Sequence, residues 1–99
     1  MININDFDLK NYDYNDEDIS LITDFIYGFN HGCDIRFWYE DTEYFICYVG
    51  DGTDKVLVAT VKDESLRLLF NNPKDFFLSF TLDSKSFFEL VSEIETYNI

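Results

Sequence analysis

The stretch of sequence that decides the fold is IRFWYEDTEYFICYVGDGTDKVLVATVK, residues 35–62. Within its strand-like segments, apolar side chains recur at every second position. This period of two is typical of strands with one buried face. Two turn signals interrupt the stretch: an acidic run at 40–43 and a Gly- and Asp-rich run at 50–54, whose residues tolerate the positive φ angles of hairpins. The stretch therefore predicts three successive antiparallel strands, at 35–40, 44–49 and 55–62.

Helical and further strand patterns lie on either side of this stretch. A 3.6-residue apolar period predicts a first helix at 16–30, capped by Asn15 or Asp16. After residue 62, the pattern predicts strands at 66–70 and 76–82, and a closing helix at 84–97 with a Ser86–Glu89 capping box, or Ser84 as the cap. The predicted core includes Phe25, Phe80 and Ile94.

The predicted fold class is therefore α+β. A four- to five-stranded antiparallel sheet is flanked by an N-terminal and a C-terminal helix, in the order α-β-β-β-β-β-α. Short connections favour a meander with both helices on one face of the sheet. The opposite face is expected to carry Trp38 or a mixture of Tyr and Thr, and to be partly exposed.

The chain is predicted to hold one domain, at residues 16–99, preceded by an extended acidic arm at residues 1–15. The arm mixes Asn and Asp with scattered apolar residues that are expected to dock on the domain. A short edge strand at residues 2–4 is one option for its beginning. The first residues lack the basic and apolar regions of a signal peptide, so the expected location is cytoplasmic, in a bacterial host cell.

Charge is distributed unevenly along the 99 residues. Residues 1–54 hold 13 of the 20 acids but only two of the seven bases, for a net charge of −11, whereas residues 55–99 carry −2. The total of −13 exceeds the roughly 2 to 8 charges that keep a small domain soluble. Such a one-signed field destabilises the compact state by self-repulsion. A basic protein partner would compensate for that cost, and simple solvation of the surface is the competing interpretation.

The candidate partner-binding residues are the acids of the first half of the chain. They are Asp13, Asp16, Glu17, Asp18 and Asp24 on the arm and first helix, Glu40, Asp41 and Glu43 at one hairpin tip, and Asp51 and Asp54 at the other. Spaced carboxylates can imitate the phosphates of duplex DNA, which carries one charge per roughly 1.7 Å of axis. Consecutive turns lie at opposite ends of a sheet, which argues against one continuous patch. Interleaved Tyr and Trp residues are either interface anchors or packing residues.

No catalytic, cofactor or metal signature is present in the sequence. Cys33 and Cys47 have no Cys-x-x-Cys spacing and are expected to be buried thiols. His31, beside Gly32, is expected to cap the helix or face solvent. The run at 13–18 resembles the start of a calcium loop, yet Asp18 and Asp24 stand where Gly and Glu are required. Direct nucleic-acid binding is disfavoured because it needs Lys and Arg.

The opening Met-Ile-Asn-Ile-Asn-Asp, residues 1–6, together with the size, acidity and element order, resembles the small acidic anti-CRISPR proteins of phages and prophages in low-GC Gram-positive bacteria. That resemblance implies a DNA-mimicking inhibitor that occupies the effector surface reading the short duplex motif beside the target. The alternatives are an immunity protein that neutralises a bacterial toxin, and an adaptor subunit that binds through an aromatic patch.

Overall fold

A computed structural model describes residues 2–50, 52–62 and 66–96 of the chain. A five-stranded antiparallel sheet forms one layer, and helices cover one of its faces as the second layer, which confirms the predicted α+β class. The elements in chain order are α1 (Asp16–Asn30), β1 (Ile35–Tyr39), β2 (Thr42–Tyr48), β3 (Val56–Thr60), β4 (Arg67–Phe70), α2 (Pro73–Ser79), β5 (Thr81–Leu82), β6 (Lys85–Ser86), α3 (Phe87–Leu90) and β7 (Ile94–Thr96). No helix among them is both long and apolar enough to cross a membrane.

The sheet has the strand order β4-β3-β2-β1-β7. The first four strands form the predicted meander, and β7 joins it by pairing antiparallel with β1, with Tyr39 opposite Ile94. Side chains at alternate strand positions point toward the helices, so Ile35, Phe37 and Ile46 enter the core. The period-two pattern in the sequence therefore identifies the strand side chains that face the core.

Helix α1 has the predicted bounds, and its sequence explains both ends. The Asn15 side chain accepts a hydrogen bond from the backbone N–H of Asp18, while Asp18 accepts one from the N–H of Asn15. This reciprocal capping box satisfies two N–H groups that the helix itself leaves unpaired. At the other end, Gly32 adopts φ +67°, a conformation that ends helices at little cost only in glycine.

The predicted strand at 76–82 is wrong, because most of this segment is helix α2. Asn72 caps the helix through the N–H of Asp75, and Pro73 at the first helical position supplies the required φ angle. Phe76, Phe77 and Phe80 are buried, whereas the side chain of Leu78 is 63% exposed. That spacing of one and four is helical, and only Thr81–Leu82 remains as the short strand β5.

The predicted closing helix at 84–97 is confirmed only at residues 87–93 and is wrong at 84–86 and 94–96, while residue 97 lies outside the described residues. Asp83 and Ser84 form the turn of the β5–β6 hairpin, with φ +52° and +65°, so Ser84 cannot cap a helix. The Ser86–Glu89 capping box is confirmed, and it starts the one-turn helix α3, followed by a 3-10 turn at Val91–Glu93. The chain then extends as β7, because the free edge of β1 offers backbone hydrogen bonds.

The N-terminal segment packs against the domain. A 3-10 helix at Ile4–Asp6 stands where a short strand was one option, and Phe7 inserts into the core. Asn30 holds the segment by accepting a hydrogen bond from the N–H of Ile2 (2.9 Å) and donating one to its carbonyl oxygen (2.7 Å). Tyr14 Oη donates to the carbonyl oxygen of Phe88 at 2.6 Å. The predicted core residues Phe25, Phe80 and Ile94 are all buried.

Candidate functional site

The carboxylates of the described residues fall into two groups, according to whether they bind their own chain. Eight of them cap backbone N–H groups, accept from hydroxyls or pair with a base: Asp6, Asp8, Asp18, Glu43, Asp75, Asp83, Glu89 and Glu93. Two candidate residues belong to this group. Asp18 is part of the α1 capping box, and Glu43 lies 3.8 Å from Arg36 with a side chain only 17% exposed. These two acids stabilise the fold at their positions.

Three other candidate acids, Asp16, Glu17 and Asp24, line one groove between α1 and the edge strand β7. The groove has a volume of about 350 Å³ and is completed by Ser20, Leu21 and Thr96; we call these six residues the helix groove. All three acids are exposed. Among the described residues they have neither an ion-pair partner nor a side-chain hydrogen bond. They are therefore available to a partner.

The helical period explains why these acids share a face. Ile22, Phe25 and Phe29 turn toward the core, and Asp16 and Asp24, eight residues apart, lie on the opposite side of a helix with 3.6 residues per turn. Tyr27, three residues beyond Asp24, extends the same side and is 55% exposed. Its ring stacks on His31 with centroids 3.9 Å apart. The exposed side of α1 thus carries acids from its first residue to its middle and an aromatic pair at its C-terminal end.

The β1–β2 hairpin places its acids in a different environment. Asp41 and Glu43 line a pocket of about 450 Å³ together with Trp38, Thr42, Thr60, Val61 and Lys62. The Lys62 side chain there offsets one negative charge. Glu40, at the tip, has φ +54° and is exposed, without a side-chain hydrogen bond or ion pair to another described residue. This pocket opens on the sheet face opposite the helices, so it is separate from the helix groove.

The remaining candidate acids lie elsewhere. Asp54 follows the β2–β3 turn, at the other end of the sheet, where it lines a groove with Tyr48 and Lys74. Asp51 lies outside the described residues. Asp13 is exposed in the segment before α1. The nine candidates that the structure describes therefore occupy several separate places, and among them only Asp16, Glu17 and Asp24 share the helix groove.

An acid that the sequence analysis did not single out, Asp83, forms a second cluster at the β1–β2 end of the sheet. Tyr39 Oη donates a hydrogen bond to its carboxylate at 3.0 Å. Burial, reinforced by Asp83, raises the pKa of Tyr39 and also that of Tyr44. The signal for this site was Asp83, a turn-favouring residue that stands between the predicted strand at 76–82 and the predicted helix at 84–97. Thr96 was missed because it was assigned to the closing helix.

Alkaline pH is expected to destabilise the protein through its tyrosines. Burial is the main cause that raises the pKa of Tyr14, Tyr39, Tyr44 and Tyr48 in the folded state. The unfolded chain releases these protons near pH 10, while the folded state still binds them. The contribution of these tyrosines to the unfolding free energy should therefore stay constant between pH 7 and 9 and fall as the pH rises above 10.

Urea denaturation at pH 8, 10 and 11 tests this expectation. Tyr39→Phe should flatten the alkaline slope, and Tyr27→Phe, at an exposed ring, serves as the matched control. If Tyr39→Phe left the alkaline slope of the unfolding free energy unchanged, burial of Tyr39 would not be a cause of the alkaline destabilisation.

Among the described residues, no hydrogen bond joins the thiol of Cys33 or Cys47 to the His31 ring. Cys47 is half-buried, but Cys33 is exposed at the exit of α1, so the prediction of a buried thiol is wrong for Cys33. Its Sγ lies 3.9 Å from the carbonyl oxygen of His31, while His31 Nδ1 lies 2.9 Å from the carbonyl oxygen of Tyr27. Within residues 2–50, 52–62 and 66–96, no three His, Cys, Asp or Glu residues are grouped to hold a metal ion.

The geometry defines a two-layer α+β protein whose candidate site is an acidic helix edge beside an edge strand. No protein-family model, no curated protein and no solved structure matches this chain.

Proposed function

We propose that this chain is a non-enzymatic inhibitor of a basic nucleic-acid-binding protein, such as a CRISPR effector nuclease, in the cytoplasm of a bacterial host cell. The helix groove would occupy the partner's nucleic-acid site in place of a phosphate backbone. The observation that supports this proposal most is the presence of three exposed carboxylates, Asp16, Glu17 and Asp24, in one groove without a partner in the described part of the chain.

The charge spacing in the groove supports imitation of nucleic acid. Asp16 and Asp24 are eight residues apart, which corresponds to about 12 Å along a helix that rises 1.5 Å per residue. One strand of duplex DNA carries a phosphate per roughly 3.4 Å of axis, or about three to four over the same length. Three carboxylates over that length therefore approach the linear charge density of one DNA strand, which a DNA-binding groove accommodates.

The chemistry of the groove suits arginine in particular. A carboxylate can accept two parallel hydrogen bonds from one guanidinium, the pairing that Arg also makes with phosphate. Tyr27, exposed at the end of the same helix side, offers an aromatic anchor, a residue type enriched at binding hot spots. Complexes held by such charge pairs form rapidly, and their affinity falls as the salt concentration rises.

Charge reversal in the groove tests the proposal. The variant Asp16→Lys, Glu17→Lys, Asp24→Lys should bind its partner at least about 100-fold more weakly, because juxtaposed like charges cost several kcal/mol. The measurement is a tagged pull-down from bacterial lysate, with and without competing duplex DNA, followed by titration of the captured protein. Wild type is expected to capture a basic nucleic-acid-binding protein that DNA displaces.

A control variant with the same change in net charge distinguishes the contribution of the helix groove to binding from that of the overall negative charge. Asp34→Lys, Glu40→Lys, Asp54→Lys alters three exposed acids outside the groove and should leave affinity within about threefold. The isosteric Asp16→Asn, Glu17→Gln, Asp24→Asn variant removes the three negative charges without placing positive charges at the start of α1, where the helix dipole disfavours them. Equal losses in the groove and control variants would refute the groove as the site. Capture of a secreted toxin would instead favour an immunity protein.

A further inference from the structure

The outer edge of strand β7 carries backbone groups that no strand in the described part of the chain uses. β7 (Ile94–Thr96) stands last in the order β4-β3-β2-β1-β7, so β1 is its only neighbouring strand there. The N–H and C=O groups of successive residues in an antiparallel strand turn to opposite sides, and those on the outer side of an edge strand stay unpaired. Such an edge is a template for a further strand.

The hydrogen bonds of the sheet show which groups of β7 face outward. The N–H of Val61 donates to the carbonyl oxygen of Glu43 at 2.9 Å, so the backbone groups of Glu43 turn toward the β3 side. Trp38, opposite Glu43, therefore turns its groups away from β2 and toward Glu95 on β7. Because Glu95 uses its groups to pair with β1, the next residue, Thr96, directs its N–H and C=O beyond the edge of the sheet.

Thr96 connects this edge with the helix groove. Its side chain lies opposite Phe37, a core residue, and so belongs to the helix side of the sheet, where it lines the groove together with the three acids. Side chains of a strand point alternately to the two faces of the sheet. A strand added beside β7 would therefore direct every second side chain toward the helix groove and the others toward the side of Glu95.

The charges on both sides of this edge are negative. On the helix side lie the three acids of the helix groove, which have no partner among the described residues. On the other side, Glu95 is exposed and makes no ion pair or side-chain hydrogen bond within the described part of the chain. Two bases on β1 and β6 are already paired, Arg36 with Glu43 at 3.8 Å and Lys85 with Glu93 at 2.9 Å. The edge therefore favours a strand with basic side chains and repels a second copy of itself.

We propose that β7 binds an extended segment of the basic partner as an additional strand of the sheet, with lysine or arginine at every second position facing the helix groove. The identity of the partner rests on the proposed function, whereas the way it binds follows from the strand edge. In strand addition, backbone hydrogen bonds give affinity and alternate side chains give specificity. Thr96 supplies the backbone groups, and Asp16, Glu17 and Asp24 select the basic side chains.

A pair of peptides tests this mode of binding with the wild-type chain. The probe is an octapeptide in which arginine and valine alternate, and the control peptide has the same composition as a block of arginines followed by a block of valines. Only the probe, added as a strand, can direct all its charges to the helix groove. We expect the probe to bind at least about fivefold more tightly in an NMR titration to about 2 mM peptide. Equal affinities, or no binding of the probe, would overturn the proposal.

Hydrogen exchange at two backbone amides locates the added strand. Thr60 donates to the carbonyl oxygen of Leu66 at 3.2 Å, so Leu69, on the opposite edge strand β4, also directs its N–H outward by the same alternation. The probe should slow exchange of the Thr96 N–H at least about threefold and leave that of the Leu69 N–H unchanged. Absence of protection at Thr96, or equal protection at both edges, would contradict strand addition at β7.

Proline at position 96 tests the same contact in the partner complex. Thr96→Pro removes an outward N–H and no hydrogen bond of the sheet, and edge strands tolerate proline at such positions. Leu69→Pro makes the matched change on β4. Thr96→Pro should weaken binding of the probe and of the captured partner at least about fivefold relative to Leu69→Pro, with urea midpoints measuring whether both variants fold. If either variant is unfolded, the wild-type amide exchange decides.

The outcomes separate strand addition from the proposed function. Strand addition is wrong, and the proposed function stands, if the charge reversal Asp16→Lys, Glu17→Lys, Asp24→Lys weakens partner binding while Thr96→Pro does not. The β7 site stands, and the proposed function is wrong, if the probe protects the Thr96 N–H but wild type captures no basic nucleic-acid-binding protein.

Discussion

Phe77→Ala is expected to lower the unfolding free energy by about 3–5 kcal/mol, whereas Leu78→Ala should change it by less than about 0.5 kcal/mol. Phe77 is fully buried, and its ring centroid lies 5.0 Å from that of Phe7 and 5.1 Å from that of Phe87. Removing the ring leaves a cavity among side chains that cannot close around it. Leu78, the next residue, is mostly exposed and leaves no cavity.

The pair of variants also decides the secondary structure of the segment. In the strand that the sequence pattern predicts at 76–82, Leu78 shares a face with Phe76 and Phe80, so Phe77 would point away from them. In helix α2, Phe77 joins the core and Leu78 faces outward. Urea denaturation of both variants, followed by circular dichroism, measures the two effects. A larger loss for Leu78→Ala than for Phe77→Ala would contradict the helix.

Phe7→Ala is expected to cost about 3 kcal/mol, even though Phe7 lies in the N-terminal segment outside the sheet and the main helices. Its ring lies 5.0 Å from Phe77 and 5.3 Å from Phe88, so the segment contributes a full member of the aromatic core. Domains of this size have unfolding free energies of about 5–15 kcal/mol, so the loss is a large part of the total. The segment is thus expected to be required for a stable fold.

Lys10→Ala is the matched control for this prediction, because Lys10 lies in the same segment and is exposed. Denaturation midpoints of both variants measure the stability change, and limited proteolysis reports on the segment. Phe7→Ala should make the segment open to cleavage, while Lys10→Ala should behave as wild type. Equal midpoints for Phe7→Ala and wild type would show that the segment contributes nothing to the core.

Local signals predicted those elements whose stability is set by neighbours in sequence. Helix α1 combines a capping box with a clear apolar period, and its bounds were predicted correctly. The meander of β1 to β4 was predicted because turn residues and alternation agree there. The Ser86–Glu89 capping box was also found, since it needs only residues three apart.

The two errors in secondary structure, at residues 76–82 and 84–97, arose where the sequence pattern was compatible with both a helix and a strand. Phe76, Phe77 and Phe80 are spaced for a helix, but with Leu78 and Leu82 the same segment also alternates like a strand. Phe80 and Ile94 were correctly predicted as core residues although their elements were not. Apolar composition thus indicated burial, while the backbone conformation depended on distant partners.

The sequence predicted only part of the candidate site, because local patterns place near neighbours but not residues from distant parts of the chain. Asp16, Glu17 and Asp24 share a face because the helical period alone places them there. Residues from distant parts of the chain entered only through the fold: Thr96 through pairing of β7 with β1, and Asp83 through the hydrogen bond from Tyr39. The pairing of Glu43 with Arg36 likewise depends on the β1–β2 register.

The sequence by itself determined the α+β class, the first helix with its acidic edge, and a four-stranded meander, because periods, caps and turns act between near neighbours. Only the tertiary structure decided that the C-terminal residues pair with β1, that Phe7 completes the core, and which carboxylates stay free of their own chain. Those outcomes depend on backbone hydrogen bonds and burial between residues far apart in sequence, and no local pattern encodes such contacts.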